Sequence, residues 1–178
     1  MDSTWLLLIY TVPAEPTRKR ASVWREVKKL GALYLRDGVC ILPERSETIA
    51  AAGGLAARID ELDGQATVVR AARLDPAAAE TVVARFQSAR SDEYAEIAQA
   101  ADQLLQHIAN ETEHRDFSFN ELDELDQDLL KLKRWIDQVR ARDYFPNDAD
   151  VAAEQLLERC DEALSVFLEK AAAQDASP

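Results

Sequence analysis

Positive charge is concentrated in the first predicted helix of the chain, where six Lys and Arg residues fall within residues 18–29. Lys and Arg neutralise phosphates and supply most of the sequence-independent affinity of proteins for nucleic acid. At 100° per residue, Arg18, Arg25 and Lys29 lie in one stripe of this helix. The solvated outer face of an amphipathic helix would show the same pattern, so both interpretations stay open. The candidate DNA-binding residues are Arg18, Lys19, Arg20, Arg25, Lys28 and Lys29.

A second basic cluster lies on a later predicted helix and flanks Trp135. Acidic residues stand three or four positions away from its members, for instance Asp137 from Arg134 and Lys133. Intrahelical ion pairs, worth roughly 0.2–0.5 kcal/mol each, explain this pattern better than a binding surface does. The cluster consists of Lys131, Lys133, Arg134, Arg140 and Arg142.

Three possible metal ligands share one face of another predicted helix. His107, Glu111 and His114 stand at i, i+4 and i+7, and the last two have the E-x-x-H spacing. A di-metal carboxylate bundle needs two such steps and two further glutamates, and the sequence has no second E-x-x-H. We therefore predict a surface cluster near a helix end and no metal site.

The two cysteines are also candidates for chemistry. Cys40 lies on a predicted strand, and a redox or oxyanion response there would need an exposed thiol of low pKa. Free cysteine is more often buried packing, and Cys160 occupies an apolar position of the last predicted helix. The two positions form no metal-type pair, so we predict reduced, structural thiols.

Catalytic signatures are absent from the sequence. It contains no Gly-rich phosphate loop, no nucleophile motif and no metal-ligand set. We therefore predict no catalytic residues and no cofactor, and expect a protein that is not an enzyme.

Charge is unevenly distributed in this chain of 178 residues, whose formal net charge is -12. Residues 1–74 hold 11 Lys and Arg against 9 Asp and Glu, a balance of +2, which leaves 10 against 24, or -14, for the remainder. An acidic region repels nucleic acid, so any DNA contact is expected in the first half. No apolar run approaches the roughly 20 residues of a membrane span, and no signal peptide is recognisable. We expect a cytoplasmic protein without membrane contact.

The first half of the chain predicts a small antiparallel sheet with two helices. Trp24, Val27 and Leu30 recur at helical spacing and are expected to face that sheet, while Gly53-Gly54 could break the second helix or permit close packing. The β-α-β-β-α-β order indicates a ferredoxin-like α+β fold with both helices on one face. The predicted strands are 4–12, 33–35, 39–42 and 66–71, and the predicted helices are 18–30 and 46–62.

The second half shows only helical patterns. Asp75-Pro76 and the Ser118 to Glu121 capping-box spacing mark helix starts. We predict helices at 76–88, 91–108, 119–139 and 150–172 that pack as an antiparallel bundle. The predicted domains are therefore a ferredoxin-like domain at 1–74 and a helical bundle at 75–178, packed on the first domain or extending from it.

Several stretches together carry a resemblance to a known family. They are Trp5-Leu6-Leu7-Leu8, Trp24-Arg25, Gly38-Val39, Ser91-Asp92-Glu93-Tyr94, Phe117-Ser118-Phe119 and Ala141-Arg142-Asp143-Tyr144. The chain resembles the N-terminal domain of the chromate-resistance protein ChrB family over nearly its whole length. The sheet segment alone also resembles the domain shared by PaaX-type repressors and CRISPR-associated nucleases, but Thr11-Val12-Pro13 replaces the metal-binding acid of the latter, which disfavours nuclease activity.

The resemblance implies a chromate-responsive transcriptional regulator, or an accessory protein of chromate resistance, that binds DNA. Chromate would be the possible effector, and the helical bundle could supply a homodimer interface. The rival interpretation is a non-enzymatic protein-interaction module with no nucleic-acid role, whose docking surface would be the acidic bundle.

Overall fold

The computed structural model describes residues 4–115 and 117–175. It divides into two compact units between Phe86 and Gln87, called here the sheet unit and the helical unit. The predicted domain boundary after residue 74 stays a prediction. The strands are β1 (Trp5–Thr11), β2 (Leu33–Arg36), β3 (Val39–Pro43) and β4 (Gln65–Ala72); the helices are α1 (Thr17–Lys29), α2 (Ser46–Glu61), α3 (Pro76–His114), α4 (Phe119–Arg140) and α5 (Ala149–Asp175).

The four strands form one antiparallel sheet in the order β2-β3-β1-β4. β1 is a central strand, in which Leu7 lies opposite Ile41 of β3 and Val69 of β4. Leu6 and Leu8 are buried, as the apolar run of the first strand requires. This strand order with two interleaved helices confirms the predicted ferredoxin-like α+β fold.

Two glycines lie close to the end of β1. Gly38 lies in the turn between β2 and β3 with a φ of +69°, and its carbonyl accepts a 2.7 Å hydrogen bond from the Tyr10 backbone N–H. A Cβ at Gly38 would collide with the Tyr10 carbonyl oxygen. A Cβ at Gly64, before β4, would lie 2.5 Å from the Thr11 carbonyl oxygen. Both positions therefore require the absence of a side chain.

Helix α1 buries a narrower stripe than predicted. Val23 and Val27 are buried, whereas Trp24 is 52 % exposed. The prediction that Trp24 faces the sheet is wrong, because the buried stripe is centred on positions 23, 27 and 30 and position 24 lies about 90° away from that centre. The Trp24 ring instead supports the Lys28 ammonium, which lies 5.7 Å from the ring centroid.

Helix α2 runs without a break through its two glycines. Gly53 and Gly54 are exposed, and a Cβ on either would meet no atom within 4 Å. Neither the break nor the close packing that the sequence allowed is therefore found. The opposite face, with Ala52, Leu55 and Ile59 buried, holds the helix in place.

The helical unit contains fewer and longer helices than predicted. Residues 76–88 and 91–108 belong to the single helix α3, because Ser91, a possible N-cap, also fits a helix interior and the segment contains no Pro or Gly. α4 begins as predicted, with the Ser118 hydroxyl accepting a hydrogen bond from the Glu121 backbone N–H. No helix of the described ranges is long and apolar enough to cross a membrane.

Ion pairs show the direction of the helices in this unit. His107 lies against Glu121 and Arg142 against Glu93, so α3 and α4 run antiparallel. Lys133 with Asp161, and Arg140 with Glu154, show the same for α4 and α5. The shared core comprises Tyr94, Ile97, Ala101, Leu104, Ile108, Leu125, Leu129, Leu132, Ile136, Val139, Ala153, Leu157, Cys160, Leu164 and Phe167.

Candidate nucleic-acid interface

The predicted DNA-binding residues all lie on α1 in the sheet unit. Val23 and Val27 fix the rotation of the helix, so the stripe of Arg18, Arg25 and Lys29 faces solvent. Of the six cations, only Lys19 is half-buried; the others are exposed.

Three of the six cations already have partners in the sheet unit. Lys19 forms an ion pair with Asp63, and Lys29 forms a 3.0 Å pair with Glu26 one turn earlier. Lys28 lies over the Trp24 ring. These three lysines therefore make contacts that are common on protein surfaces. Exposed ion pairs of this kind contribute at most about 1 kcal/mol to stability.

The three arginines behave differently. Arg18, Arg20 and Arg25 are exposed and form no ion pair or hydrogen bond with any residue that the structure describes. A guanidinium group presents a planar set of N–H donors that matches the oxygens of a phosphate. One helix therefore displays three arginines whose donors are available to an anionic partner.

The cations of the helical unit are mostly used internally. Lys133 pairs with Asp161 at 2.6 Å, and Arg140 with Glu154 at 2.8 Å and with Asp150 at 3.6 Å. The predicted intrahelical pairing is found for Lys131, whose ammonium lies 2.7 Å from Asp128 three residues earlier. The example pairs of Asp137 with Arg134 and Lys133 do not occur among the described residues. For Lys133, the neighbouring helix α5 supplies the carboxylate of Asp161 instead.

A half-buried network joins α3 to the segment after α4. The guanidinium groups of Arg90 and Arg142 both donate to Glu93, at 3.1 and 2.7 Å, and the Tyr94 hydroxyl donates to Asp143 at 3.2 Å. Arg90 is only 6 % exposed, and burial lowers the pKa of its guanidinium group. Burial, and then the Asp143 carboxylate, raise the pKa of Tyr94.

Sequence reasoning missed this network. Apart from Arg90, its members come from Ser91-Asp92-Glu93-Tyr94 and Ala141-Arg142-Asp143-Tyr144, two of the stretches that carry the family resemblance. Their pairing across about 50 positions has no periodic signature. The only signal in the sequence that pointed to the network is that both stretches belong to the resemblance to the family.

The predicted cluster of His107, Glu111 and His114 is found with two of these three residues, and Glu121 takes the place of His114. Ligand atoms of His107, Glu111 and Glu121 lie within 4.8 Å of one another, whereas His114 is exposed and outside the group. Glu121 joins because α4 folds back beside α3. Its place in a helix cap concealed this role in the sequence.

Both thiols are structural, as predicted. Cys40 is 1 % exposed, and burial raises the pKa of its thiol to about 12. Cys160 is fully buried, its thiol contacts the Ala101 carbonyl oxygen at 3.3 Å, and burial raises its pKa to about 11. Thiolates would be scarce at neutral pH, which removes support for a redox-active cysteine.

These features define a class of protein: an α+β chain with a ferredoxin-like sheet unit, a basic helix open to solvent and an acidic helical region. A family model described as "Protein ChrB, N-terminal" matches residues 20–177. The chain therefore belongs to the ChrB family, which is associated with chromate resistance. The part of the family that it matches is the N-terminal domain.

One curated relative matches the chain over part of its own length. Protein ChrB of Cupriavidus metallidurans is 29% identical over 167 residues, which are 94% of this chain and 48% of the relative. The chain thus spans about half the length of the curated relative it matches. No solved structure matches the chain.

Proposed function

We propose that the chain is a non-enzymatic component of chromate resistance that contacts DNA through α1, as a regulator or an accessory of regulation. The contacts would be made to phosphates by Arg18 and Arg25, which share one stripe of α1 with Lys29 and have Lys28 beside them, while Arg20 would contribute from another side of the helix. Chromate as effector and a homodimer belong to the same proposal.

The observation that carries this proposal is the set of three exposed arginines on α1 that form an ion pair or hydrogen bond with none of the described residues. In a chain with a net charge of -12, carboxylates are abundant, and most cations of the helical unit pair with one. Arg18, Arg20 and Arg25 lack such pairs within the described part of the sheet unit. Their positive potential is therefore not cancelled locally, which favours an anionic partner.

Trp24 adds a second kind of contact to this surface. Its half-exposed ring lies on α1 beside Lys28. An aromatic ring next to cations is a common feature of nucleic-acid surfaces, because it can pack on a sugar or an unstacked base. This supports DNA over a simple inorganic anion as the partner.

The test is a titration of the chain with duplex DNA from the region upstream of its own gene, at 50 to 200 mM salt. Affinity of the unmodified chain should fall steeply with salt, since each phosphate contact contributes about 0.9 to the logarithmic slope. The variant Arg18→Ala/Arg20→Ala/Arg25→Ala should bind more weakly and lower the slope by about 2 to 3.

A variant with the same change in charge serves as the control. Lys131→Ala/Lys133→Ala/Arg134→Ala removes three cations from the helical unit and should leave affinity and slope near those of the unmodified chain. If the α1 variant retains full affinity, or both variants lose affinity equally, α1 is not the DNA surface.

A protein-interaction module without a nucleic-acid role is the second candidate. Val151, Val166 and Leu168 of α5 are between 44% and 49% exposed, although the helix is otherwise acidic. In this candidate, the acidic surface of α5, which also carries these apolar side chains, would be the docking surface for a protein partner. This candidate predicts no DNA binding at any salt concentration, and binding of a partner that weakens in Val166→Asp.

Effector binding can be measured separately by thermal unfolding with chromate and with sulfate at equal concentration. A larger stabilisation by chromate is expected if this domain contributes to sensing. Equal shifts for the two anions would remove specific recognition of chromate by this part of the family's architecture.

A further inference from the structure

Three possible metal ligands converge where the end of α3 meets the start of α4. The Nε2 atom of His107 lies 3.1 Å from an oxygen of Glu121 and 3.8 Å from an oxygen of Glu111. All three ligand atoms lie within 4.8 Å of one another, and all three residues are half-buried. The group belongs entirely to the helical unit and shares no residue with α1.

The local structure explains why these side chains meet. His107 and Glu111 are separated by one turn of α3 and share a face of that helix. Ser118 caps α4, which places Glu121 in the first turn of that helix, and the antiparallel return brings it against α3. Two helices thus hold a preformed set of one imidazole and two carboxylates.

The electrostatics of the cluster favour a cation. The carboxylates of Glu111 and Glu121 approach the same imidazole nitrogen. That nitrogen carries at most one proton, so it can form a well-aligned hydrogen bond with only one of them. The two negative charges also repel each other across a partly desolvated space. A divalent cation between them would satisfy all three ligand atoms at once.

The distances are compatible with one ion. Bonds of about 2.0–2.2 Å from Zn²⁺ to nitrogen and oxygen leave neighbouring ligand atoms roughly 3–3.5 Å apart. The 3.1 Å separation lies in this range, and the 3.8 Å separation exceeds it by a few tenths of an ångström. A small side-chain rotation of Glu111 would complete the arrangement.

We propose that His107, Glu111 and Glu121 bind a divalent transition-metal cation of the Zn²⁺ type. An imidazole ligand selects such ions over Mg²⁺ and Ca²⁺, which prefer all-oxygen sites. Three protein ligands leave at least one coordination position for water or an exogenous group.

Solvent can reach the site. His107 also lines a surface groove of about 400 Å³, together with Gln103, Asp128 and Trp135. The groove gives an ion a route to the imidazole and leaves room for a further ligand. Binding would join the end of α3 to the first turn of α4 and stabilise the helical unit.

Calorimetric titration of the untagged chain with Zn²⁺ tests this site, in the presence of a phosphine reductant. One ion per chain should bind, with a rise in the melting temperature of the helical unit. His107→Ala should weaken binding by at least about 10-fold, since even loss of residues that only support metal ligands has effects of this size. Glu111→Gln and Glu121→Gln, which keep the size of the side chain, should weaken it as well.

The chain offers a matched control in its other histidine. His114→Ala changes an exposed residue seven positions away on the same helix and should leave Zn²⁺ affinity unchanged. Far-UV circular dichroism identifies any variant that fails to fold, and the two glutamine variants then carry the test. With Co²⁺, the unmodified chain should show visible d–d absorption that is lost in Glu121→Gln.

The proposal is overturned if Zn²⁺ binds no better to the unmodified chain than to Glu111→Gln and Glu121→Gln. It is also overturned if His114→Ala loses as much affinity as His107→Ala, or if Mg²⁺ binds equally well. These outcomes are independent of DNA binding, because the site and α1 have no residue in common.

Discussion

The cations of the sheet unit and those of the helical unit have the same chemistry but different surroundings. On α1, Arg18, Arg20 and Arg25 project into solvent and pair with no residue among those described. In the helical unit, Lys133, Arg140 and Arg142 each reach a carboxylate on another segment. Positive charge therefore holds helices together in the helical unit, whereas three arginines of α1 in the sheet unit remain available to a partner.

The difference follows from the local supply of carboxylates. The first 74 residues contain 9 Asp and Glu, whereas the remaining residues contain 24. In the acidic region, almost any cation at a helix interface finds a partner within 4 Å. The comparison teaches that basic residues indicate a binding surface only where the fold leaves them unpaired, which a charge count alone does not reveal.

Removing the shared carboxylate of the buried network should have the largest effect on stability. Glu93→Ala leaves Arg90 and Arg142 without their common acceptor, and Arg90 is almost fully buried. We expect a loss of about 3 kcal/mol in the free energy of unfolding, at the lower end for a broken buried pair. Urea denaturation measures it. Glu96→Ala, an exposed position on the same helix, should stay within about 0.5 kcal/mol; equal losses in the two variants would contradict this role.

Both units contain a buried thiol whose ionisation should make the stability of the folded chain depend on pH. The pKa of Cys40 is about 12 in the folded chain against 9.0 for the free side chain. Because the folded pKa is raised, the contribution to stability is fully present below pH 9 and is lost as pH rises toward 12. The stability difference between the unmodified chain and Cys40→Ser should shrink by about 2 kcal/mol between pH 7.5 and 10.5.

Denaturation curves at the two pH values check this expectation. Cys160→Ser should show a similar trend, because burial raises the pKa of that thiol to about 11. The two units would then differ in their cations but not in their cysteines. A difference that does not change with pH would show that the Cys40 thiol is more accessible than its burial indicates.

Interhelical ion pairs should have a smaller effect. Arg140→Ala removes contacts with Asp150 and Glu154 that join α4 to α5, and the guanidinium group is about one-third exposed. We expect a loss of about 1 kcal/mol at low salt that decreases in 1 M NaCl. Lys131→Ala, which breaks only an exposed pair with Asp128, provides the reference and should lose less.

The smallest change in stability is expected at Trp24. Its ring is half-exposed and its described partner is Lys28, so Trp24→Ala should cost about 0.5–1 kcal/mol. Val27→Ala on the same helix empties a fully buried site and should cost distinctly more. Thermal unfolding of both variants tests the observed orientation of α1; a larger loss for Trp24→Ala would favour the predicted orientation toward the sheet.

The sheet unit was largely predictable because its signals are local. A strand-length apolar run, the Asp37-Gly38 turn and two amphipathic segments fix the order of elements, and the ferredoxin-like arrangement follows from that order. The orientation of Trp24 was not predictable in the same way. Both Trp24 and Val23 fit an apolar face, and only packing against the sheet decides between them.

The helical unit was less predictable because its defining contacts are distant in sequence. The segment at 88–91 contains residues that suit either a helix start or a helix interior, and the tertiary fold selected the continuous helix α3. Glu121 was recognised only as part of a helix cap, although the return of α4 brings it to His107. The positions of Arg18, Lys19, Arg20, Arg25, Lys28 and Lys29 on one helix were predicted, but their individual pairing was not.

The two glycines near the end of β1, Gly38 and Gly64, are positions at which we expect no substitution to be tolerated. Every other amino acid carries a Cβ, so each missense change in the codon of Gly38 or Gly64 inserts an atom against a β1 carbonyl. In saturation mutagenesis with selection for folded protein, both codons should return glycine alone. Gly53 and Gly54, which face open space within α2, should instead accept alanine and gain up to about 1 kcal/mol each. Substitution should therefore prevent folding at Gly38 and Gly64, whereas substitution by alanine at Gly53 and Gly54 should increase stability.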